Sequence, residues 1–322
     1  MKLGLIGSGM IVNELFTFIR DAEGIELTAI GSTERSYEKV KAIAQREGIP
    51  YAYKNADECI LSPYIDTVYL GIPNSLHYEY GMKALRAGKN LIVEKPFTLT
   101  LKDAEDLFAC AEENNVLLFE AIPLYYHTTF DKIAEILPSL GDIKLIILNY
   151  SQFSSRYSDF KKGIIRPNMS PTLGGGALTD LSVYNIHICV GLFGEPEEVQ
   201  YYPNIDQNID TSGVAVLRYN GFTATLIASK DSDAPGFINT IQGNKGCLRF
   251  HAPNHALNEF TYEIYKETSG SYERKKTHRM LPEFIAFEKA LRENDRDLYE
   301  KRKVQTLKVV KTLERLRNSV TK

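Results

Sequence analysis

Two glycines at the start of a helical pattern offer the first chemistry in this chain: Gly7-Ser8-Gly9-Met10-Ile11-Val12 directly follows a short apolar run. In that setting the first glycine permits a tight turn, the second lets backbone approach a pyrophosphate, and the helix start turns N–H groups toward the anion. Gly7, Ser8, Gly9, Met10 and Ile11 are therefore predicted to hold a dinucleotide. Val12 stands where the motif ordinarily has Gly or Ala, which predicts a helix and strand held slightly further apart. The second strand runs into Gly31-Ser32-Thr33-Glu34-Arg35. Ser32, Thr33 and Arg35 suit a ribose 2′-phosphate, whereas Glu34 falls late for a 2′-hydroxyl, so the cofactor is read as NADP or NAD with the balance toward NADP. A second constellation lies in 174–193. At about 100° per residue, Asp180, Tyr184 and His187 fall within an arc of roughly 60°, while Leu178, Ile186, Cys189, Leu192 and Phe193 take another side. This predicts one amphipathic helix, Gly174–Phe193, whose polar stripe faces something other than core.

The elements that must position these residues alternate in period up to about residue 121. Strands are predicted at Leu3–Gly7, Leu27–Gly31, Asp66–Leu70, Asn90–Val93 and Val116–Glu120, with helices at Met10–Ala22, Ser36–Glu47, Leu76–Ala87 and Leu101–Asn114. Repeated βα winding of this kind packs as a parallel sheet covered on both faces, and its ligands bind at the carboxyl ends of the strands. Two blocks fall at such ends: Gly71-Ile72-Pro73-Asn74-Ser75-Leu76-His77 and Glu94-Lys95-Pro96. Beyond Ala121 the texture changes. A helix at Phe130–Leu137, a strand at Ile143–Gln152 and the Gly174–Phe193 helix precede strands at Glu198–Tyr202, Ser212–Tyr219, Phe222–Ser229, Phe237–Gln242, Gly246–Phe250 and Glu259–Glu267, several joined by turn residues, as in a mainly antiparallel sheet. Helices at Pro282–Glu293 and Lys301–Arg317 close the chain, the last reading as a solvated charged face. The fold class is α/β, with a dinucleotide-binding Rossmann domain over 1–121 and an α+β domain over 122–322, to which the family resemblance given below assigns substrate binding and oligomerisation.

A formal charge of -3 leaves no electrostatic footprint for nucleic acid or anionic membrane, so a small soluble ligand is the expected partner. Cys59, Cys110, Cys189 and Cys247 lie far apart without C-x-x-C spacing or histidine at ligand distance, and neither a metal site nor a disulfide framework is expected. The first residues enter a strand at once and no run of 18 apolar residues occurs, which predicts a cytoplasmic protein. Arg156, Lys161, Lys162 and Arg166 make the 154–171 stretch basic, a reading shared between an anionic substrate group and a solvated loop.

The blocks P-N-x-x-H (Pro73–His77), A-G-K…E-K-P (Ala87–Pro96) and G-G-G-A-L-x-D-x-x-x-Y (Gly174–Tyr184), followed by Leu192-Phe193-Gly194-Glu195-Pro196, stand in an order that resembles the Gfo/Idh/MocA family. The resemblance, essentially end to end, implies a Rossmann domain with a doubly wound parallel sheet and a C-terminal domain with an open-faced, mainly antiparallel sheet that pairs copies into a homodimer or homotetramer. It implies NAD(P)-dependent hydride transfer to or from a sugar, polyol or similar hydroxylated compound. Lys95 then supplies positive charge beside the reacting oxygen, and Tyr184 occupies the family's acid/base position. A phenol starts near pKa 10, and a neighbouring ammonium that lowers it eases proton transfer near neutral pH. Asp180 accepts hydrogen bonds from Lys95 or a substrate hydroxyl. His187 is either a substrate ligand or a histidine without chemical duty. Ile72, Pro73, Asn74 and Glu94 are assigned to cofactor contact, as is His77, for which a helix-capping role is the alternative. Tyr125 departs from the family pattern, standing where an Arg is often found. The other implied functions are glycoside cleavage through transient oxidation and a non-catalytic dinucleotide-binding regulator.

Overall fold

The computed structural model describes every residue except 252, 321 and 322. The chain forms two units, Met1–Ile122 with Met280–Leu307, and Pro123–Arg279 with Lys308–Lys322. In the first, six short apolar runs become strands β1 (Lys2–Ile6), β2 (Glu26–Gly31), β3 (Tyr51–Tyr53), β4 (Thr67–Leu70), β5 (Asn90–Glu94) and β6 (Leu118–Ala121). They form one sheet in the order β3-β2-β1-β4-β5-β6, and every neighbouring pair is parallel. Leu3, Leu5, Val68, Leu70, Leu91 and Val93 are all buried, as expected of parallel strands covered on both sides. Strand order reverses between β1 and β4, the switch point at which open α/β sheets bind ligands, and the Gly7 and Gly71 loops leave the sheet there.

One boundary needs correction. The stretch 280–307, assigned by sequence to 122–322, belongs to the first unit. The reason is an aromatic ladder: Phe284 meets Phe18 at 5.6 Å and Tyr69 at 5.7 Å between ring centres, Phe287 stacks on Phe119 at 5.1 Å, and Tyr299 stands edge-on to Phe108 at 6.1 Å. Edge-to-face and offset pairs of this kind add about 0.5–1.5 kcal/mol each beyond their area burial. Aromatic residues so far apart in the chain carry no short-range signal of this pairing.

The second unit holds an eight-stranded sheet of β7 (Ile143–Ser151), β8 (Glu198–Asp206), β9 (Ile209–Tyr219), β10 (Phe222–Ser229), β11 (Ile238–Gly243), β12 (Gly246–His251), β13 (Glu259–Ile264) and β14 (Thr268–Glu273). Its order is β14-β13-β12-β11-β7-β10-β9-β8, antiparallel throughout except where β7 and β10 run parallel. One face buries Ile146, Leu148, Ala215, Leu217 and Leu226 beneath the helix Val183–Phe193. The alternate residues of the same strands, among them Leu145, Ile147, Val214, Val216 and Ile227, lie on the other face and are half-buried or exposed.

The helix predicted over Gly174–Phe193 is neither uniform nor amphipathic. Leu178–Ser182 form a wider π-turn, and Val183–Phe193 is α-helical with Val183 to Val190 all buried. The segment Pro171–Phe193 is long and apolar enough to cross a membrane by length and composition, yet 78% of that window is buried inside the protein. Because i→i+5 bonding replaces the regular spacing across Asp180, the 100° arithmetic does not carry from Asp180 to Tyr184, and the stripe expected to leave the core lies largely in it.

Candidate active site

In the first unit the two glycines of the opening motif do different work. Gly7 adopts φ +123°, where a side chain is strained, and a Cβ there would stand 2.3 Å from the carbonyl oxygen of Gly71. Its N–H bonds the Gly31 carbonyl at 2.8 Å, so it joins the ends of β1, β2 and β4. Gly9 has φ -78°, a conformation any residue adopts, and nothing lies within 4 Å of a Cβ built on it. Neither backbone nor packing demands a glycine at 9; space for an approaching group does, and this fits a pyrophosphate set against the Gly7–Ile11 backbone. The Val12 departure is absorbed by Gly71: a Cβ on Gly71 would meet Val12 Cγ2 at 2.7 Å, so the glycine missing from the helix stands on the facing loop.

Ser32 is half-buried, Thr33 and Arg35 are exposed, and the Thr33 and Ser36 hydroxyls lie 3.1 Å apart. Lys39, which sequence reasoning passed over, donates from Nζ to the Ser8 carbonyl and sets a cation beside the glycine loop. Its signal was only a lysine in the first turn of the helix Tyr37–Glu47.

Ile72, Pro73 and Asn74 line the half-buried loop after β4, where Asn74 opens a 3₁₀ turn. His77 does not fit the cofactor contact expected of it. It is fully buried, with Nδ1 3.1 Å from the carbonyls of Pro96 and Phe97 and Nε2 3.1 Å from that of Ile72. Burial lowers its pKa against these carbonyls and the Glu120 charge, so the ring is a clamp tying the P-N-x-x-H loop to the E-K-P loop. Glu94 is buried and accepts the Tyr69 hydroxyl proton at 2.6 Å. Lys95 follows at the carboxyl end of β5, half-buried before Pro96. The lysine of the A-G-K block is structural. Lys89 Nζ donates to the carbonyls of Ser62 at 2.8 Å and Ile65 at 2.7 Å, closing the turn that precedes β4.

In the second unit the triple glycine is explained by close approach. Gly174 takes φ +73° and Gly176 φ +122°. A Cβ on Gly175 would meet the Asn168 backbone at 2.7 Å, and one on Gly176 would stand 2.0 Å from Asp210 Oδ1. Asp210 accepts the Leu178 N–H at 2.7 Å and the Tyr201 hydroxyl at 2.8 Å, anchoring the start of the π-turn. Burial raises the Asp210 pKa against those two hydrogen bonds. Asp180, inside that turn, accepts from Lys230 Nζ at 2.6 Å. Tyr184 is buried in an aromatic cluster, 5.8 Å from the ring centres of both Tyr150 and His255, which are themselves 5.2 Å apart. His187 is fully buried: the Tyr125 hydroxyl donates to its carbonyl at 3.0 Å and lies 2.9 Å from Nδ1. The one hydroxyl reaches both the ring and the backbone of His187. Tyr125, in place of the expected Arg, thus holds His187. Lys230, Asp210, Tyr150 and His255 were missed in the sequence because each reaches the 178–187 segment from a separate strand or loop. The basic 154–171 stretch is partly neutralised locally, Lys161 by Asp206 at 2.8 Å and Arg166 by Asp159 at 3.2 Å.

Residues 1–122 match the oxidoreductase family with an NAD-binding Rossmann fold, and 138–249 match the GFO/IDH/MocA C-terminal domain. A Bacillus subtilis scyllo-inositol 2-dehydrogenase (NADP(+)) is 32% identical over 77% of this chain and 75% of its own length. The chain belongs to the GFO/IDH/MocA family. A trans-1,2-dihydrobenzene-1,2-diol dehydrogenase of Xenopus tropicalis is 27% identical over 77% of this chain and 74% of its own. Among solved structures, the 3-ketoreductase KijD10 of Actinomadura kijaniata with NADP and TDP-benzene superposes with a TM-score of 0.85 at 23% identity, covering 99% of this chain and 97% of that one, a likeness of fold. The GFO/IDH/MocA match bears out the α/β class with its parallel and mainly antiparallel sheets, and the protein is a nicotinamide-dependent oxidoreductase.

Proposed function

We propose that this GFO/IDH/MocA protein moves hydride between NADP and a hydroxyl or carbonyl carbon of a sugar, polyol or dihydrodiol. The observation that carries the reading is Gly9: an ordinary backbone conformation with open space over its Cα, in a chain whose first 122 residues match an NAD-binding Rossmann family. Gly7, Ser8, Gly9, Met10 and Ile11 would hold the pyrophosphate, and Ile72, Pro73, Asn74 and Glu94 would line the remainder of the dinucleotide. Ser32, Thr33, Arg35 and Lys39 together present hydroxyls and two cations, a donor set matched to a 2′-phosphate. The B. subtilis relative is named for NADP(+), in keeping with that choice.

The nicotinamide, when bound, supplies the hydride acceptor or donor. An alcohol that loses hydride must also lose its hydroxyl proton, and a carbonyl that gains hydride must gain one. Lys95 serves as the ammonium beside the reacting oxygen, where positive charge is most valuable in a water-poor site. Tyr184 takes or returns the proton through its phenol, and Asp180 accepts a hydrogen bond from a substrate hydroxyl. His187, on the same helix as Tyr184 and held by Tyr125, either binds substrate or supports the site without chemical duty. In the cell we place the protein in the cytoplasm, in keeping with four buried thiols and no disulfide among them.

We further infer that copies associate through the open face of the eight-stranded sheet. Leu145 and Tyr202 are 50% and 61% exposed there, beside the half-buried Ile147, Val214, Val216 and Ile227. A contiguous apolar sheet face of this kind is rarely left to solvent.

The test is a panel of sugars, inositols, dihydrodiols and keto sugars assayed with NADP(H) and NAD(H), following the reduced-nicotinamide absorbance. The proposal expects turnover with at least one polyol and a lower KM for NADP than for NAD. Tight dinucleotide binding without hydride transfer to any compound would instead identify a regulatory protein.

A further inference from the structure

Lys230 is unusual among the charged residues of the second unit. Its side chain is only 2% exposed, against 28% for its partner Asp180. Nζ donates to Asp180 Oδ2 at 2.6 Å and to the Asn168 carbonyl at 2.7 Å. The Asn168 carbonyl also receives the Gly176 N–H at 3.3 Å, and the backbone of Lys230 is itself tied on both sides, its N–H to the Thr211 carbonyl at 2.7 Å and its carbonyl to the Ser154 N–H at 2.8 Å. One ammonium thus joins three segments: the π-turn that carries Asp180, the 154–171 stretch through Asn168, and the adjoining ends of β9 and β10. Burying an ammonium costs several kcal/mol unless its donors are well matched, so a lysine here does more than fill space. The exposure difference sets the order of the pair: Lys230 lies on the protein side of the carboxylate, and Asp180 keeps the outward side.

We propose that Lys230 is a positioning residue for substrate recognition, holding Asp180 as an aimed, acceptor-only carboxylate and locking the 154–171 segment to it. An ionised carboxylate backed by a cation accepts hydrogen bonds and donates none, which selects substrates with a hydroxyl at that position over those with a second acceptor. This rests on the role proposed for Asp180 above. The close approaches of Gly175 and Gly176 to Asn168 and Asp210 serve the same junction, since they bring the Asn168 carbonyl and Asp180 within reach of one amine.

The test uses the full chain with a polyol found in the panel, comparing wild type with K230M, K230R, D180N and the D180N/K230M pair. K230M is expected to lower kcat/KM about 30-fold, chiefly through KM, with dinucleotide Kd changed less than about twofold. K230R, whose planar fork cannot sit on both acceptors in the same way, is expected to lose about 10-fold. D180N/K230M is expected to be no worse than D180N alone, because the lysine acts through the aspartate. Losses that add in the double variant, or K230R as active as wild type, would overturn the proposal; the arginine variant decides it even where K230M fails to fold. A wild type inactive on every compound would instead count against the function itself, whereas an impaired D180N beside an unimpaired K230M would remove only the role of Lys230.

Discussion

The two halves of this machinery are built on different physical plans. On the dinucleotide side, the pyrophosphate recognition proposed above is a property of backbone: Gly7 lets the ends of β1, β2 and β4 meet, Gly9 leaves room, and a helix begins where an anion is wanted. On the side that carries Asp180 and Tyr184, the recognition proposed above falls to side chains, each fixed by a residue distant in sequence: Asp180 by Lys230, His187 by Tyr125, the π-turn by Asp210. Backbone recognition needs a short contiguous motif and tolerates change elsewhere. Side-chain recognition needs long-range partners, each of which is a point at which specificity can be altered.

The sharpest way to break this comparison is to remove the one charge proposed to act on the reacting oxygen. Lys95→Ala is expected to reduce kcat by about a thousandfold or more, since loss of one oxyanion stabiliser alone costs on the order of 10²–10³. Dinucleotide Kd by fluorescence titration should stay within about threefold, and unchanged turnover would remove Lys95 from the mechanism. Next come the paired glycines. Gly9→Ala should weaken dinucleotide binding by about tenfold or more while leaving thermal stability within about 0.5 kcal/mol, because nothing in the protein lies within 4 Å of a Cβ there. Gly7→Ala should do the converse, costing about 2–4 kcal/mol from positive-φ strain and the collision with Gly71. Denaturation with and without NADP separates the two.

These glycines also mark how far the sequence could be read. Strand and helix positions up to Ala121 are local periodic signals, and they carry over with small shifts at their ends, apart from the three-residue β3, the short helix Ala56–Ile60 and the helix expected over Met10–Ala22, whose α-helical part stops at Leu15 before a 3₁₀ turn at Ile19–Asp21. The hairpin turn at Gly243–Gly246 was equally legible, whereas the final strand Thr268–Glu273 was not, because its exposed alternation of Thr, Ser and Gly lacks an apolar face. Lys95, Asp180 and Tyr184 were named through family motifs. Their supports were not, for Lys230 is a lone lysine after a strand and Tyr125 precedes His187 by 62 residues. The polar stripe failed because a wider turn at 178–182 interrupts the regular helix, a feature that no hydrophobic period reveals. His77 shows the limit of a motif, which identifies a residue type and cannot tell a clamp from a ligand.

A smaller effect separates the halves by pH. Burial holds His127, in the second unit, down to about 4 from 6.5. A folded pKa below the unfolded one means that the unfolded chain binds the proton first. Stability is therefore undiminished above pH 6.5 and falls by up to about 1.4 kcal/mol per unit as pH drops from there toward 4. Melting followed over about pH 8 to 4.5 should show this decline, and His127→Gln should flatten it; parallel curves would contradict the assignment. The mildest change concerns assembly. Leu145→Glu with Val216→Glu should shift the protein to monomers by light scattering while altering kcat by less than about fivefold, since the open sheet face lies opposite the helix that carries Tyr184.

The most direct measurement follows the hydrogen itself. Purified protein is incubated with NADP and a polyol carrying deuterium on its hydroxyl-bearing carbons, and the dinucleotide is examined by mass spectrometry. Wild type is expected to yield reduced dinucleotide made heavier by a single deuterium, and Lys95→Ala to yield none although the cofactor still binds. Reduced dinucleotide carrying no deuterium, or equal deuterium transfer by the Lys95 variant, would contradict hydride transfer assisted by that lysine.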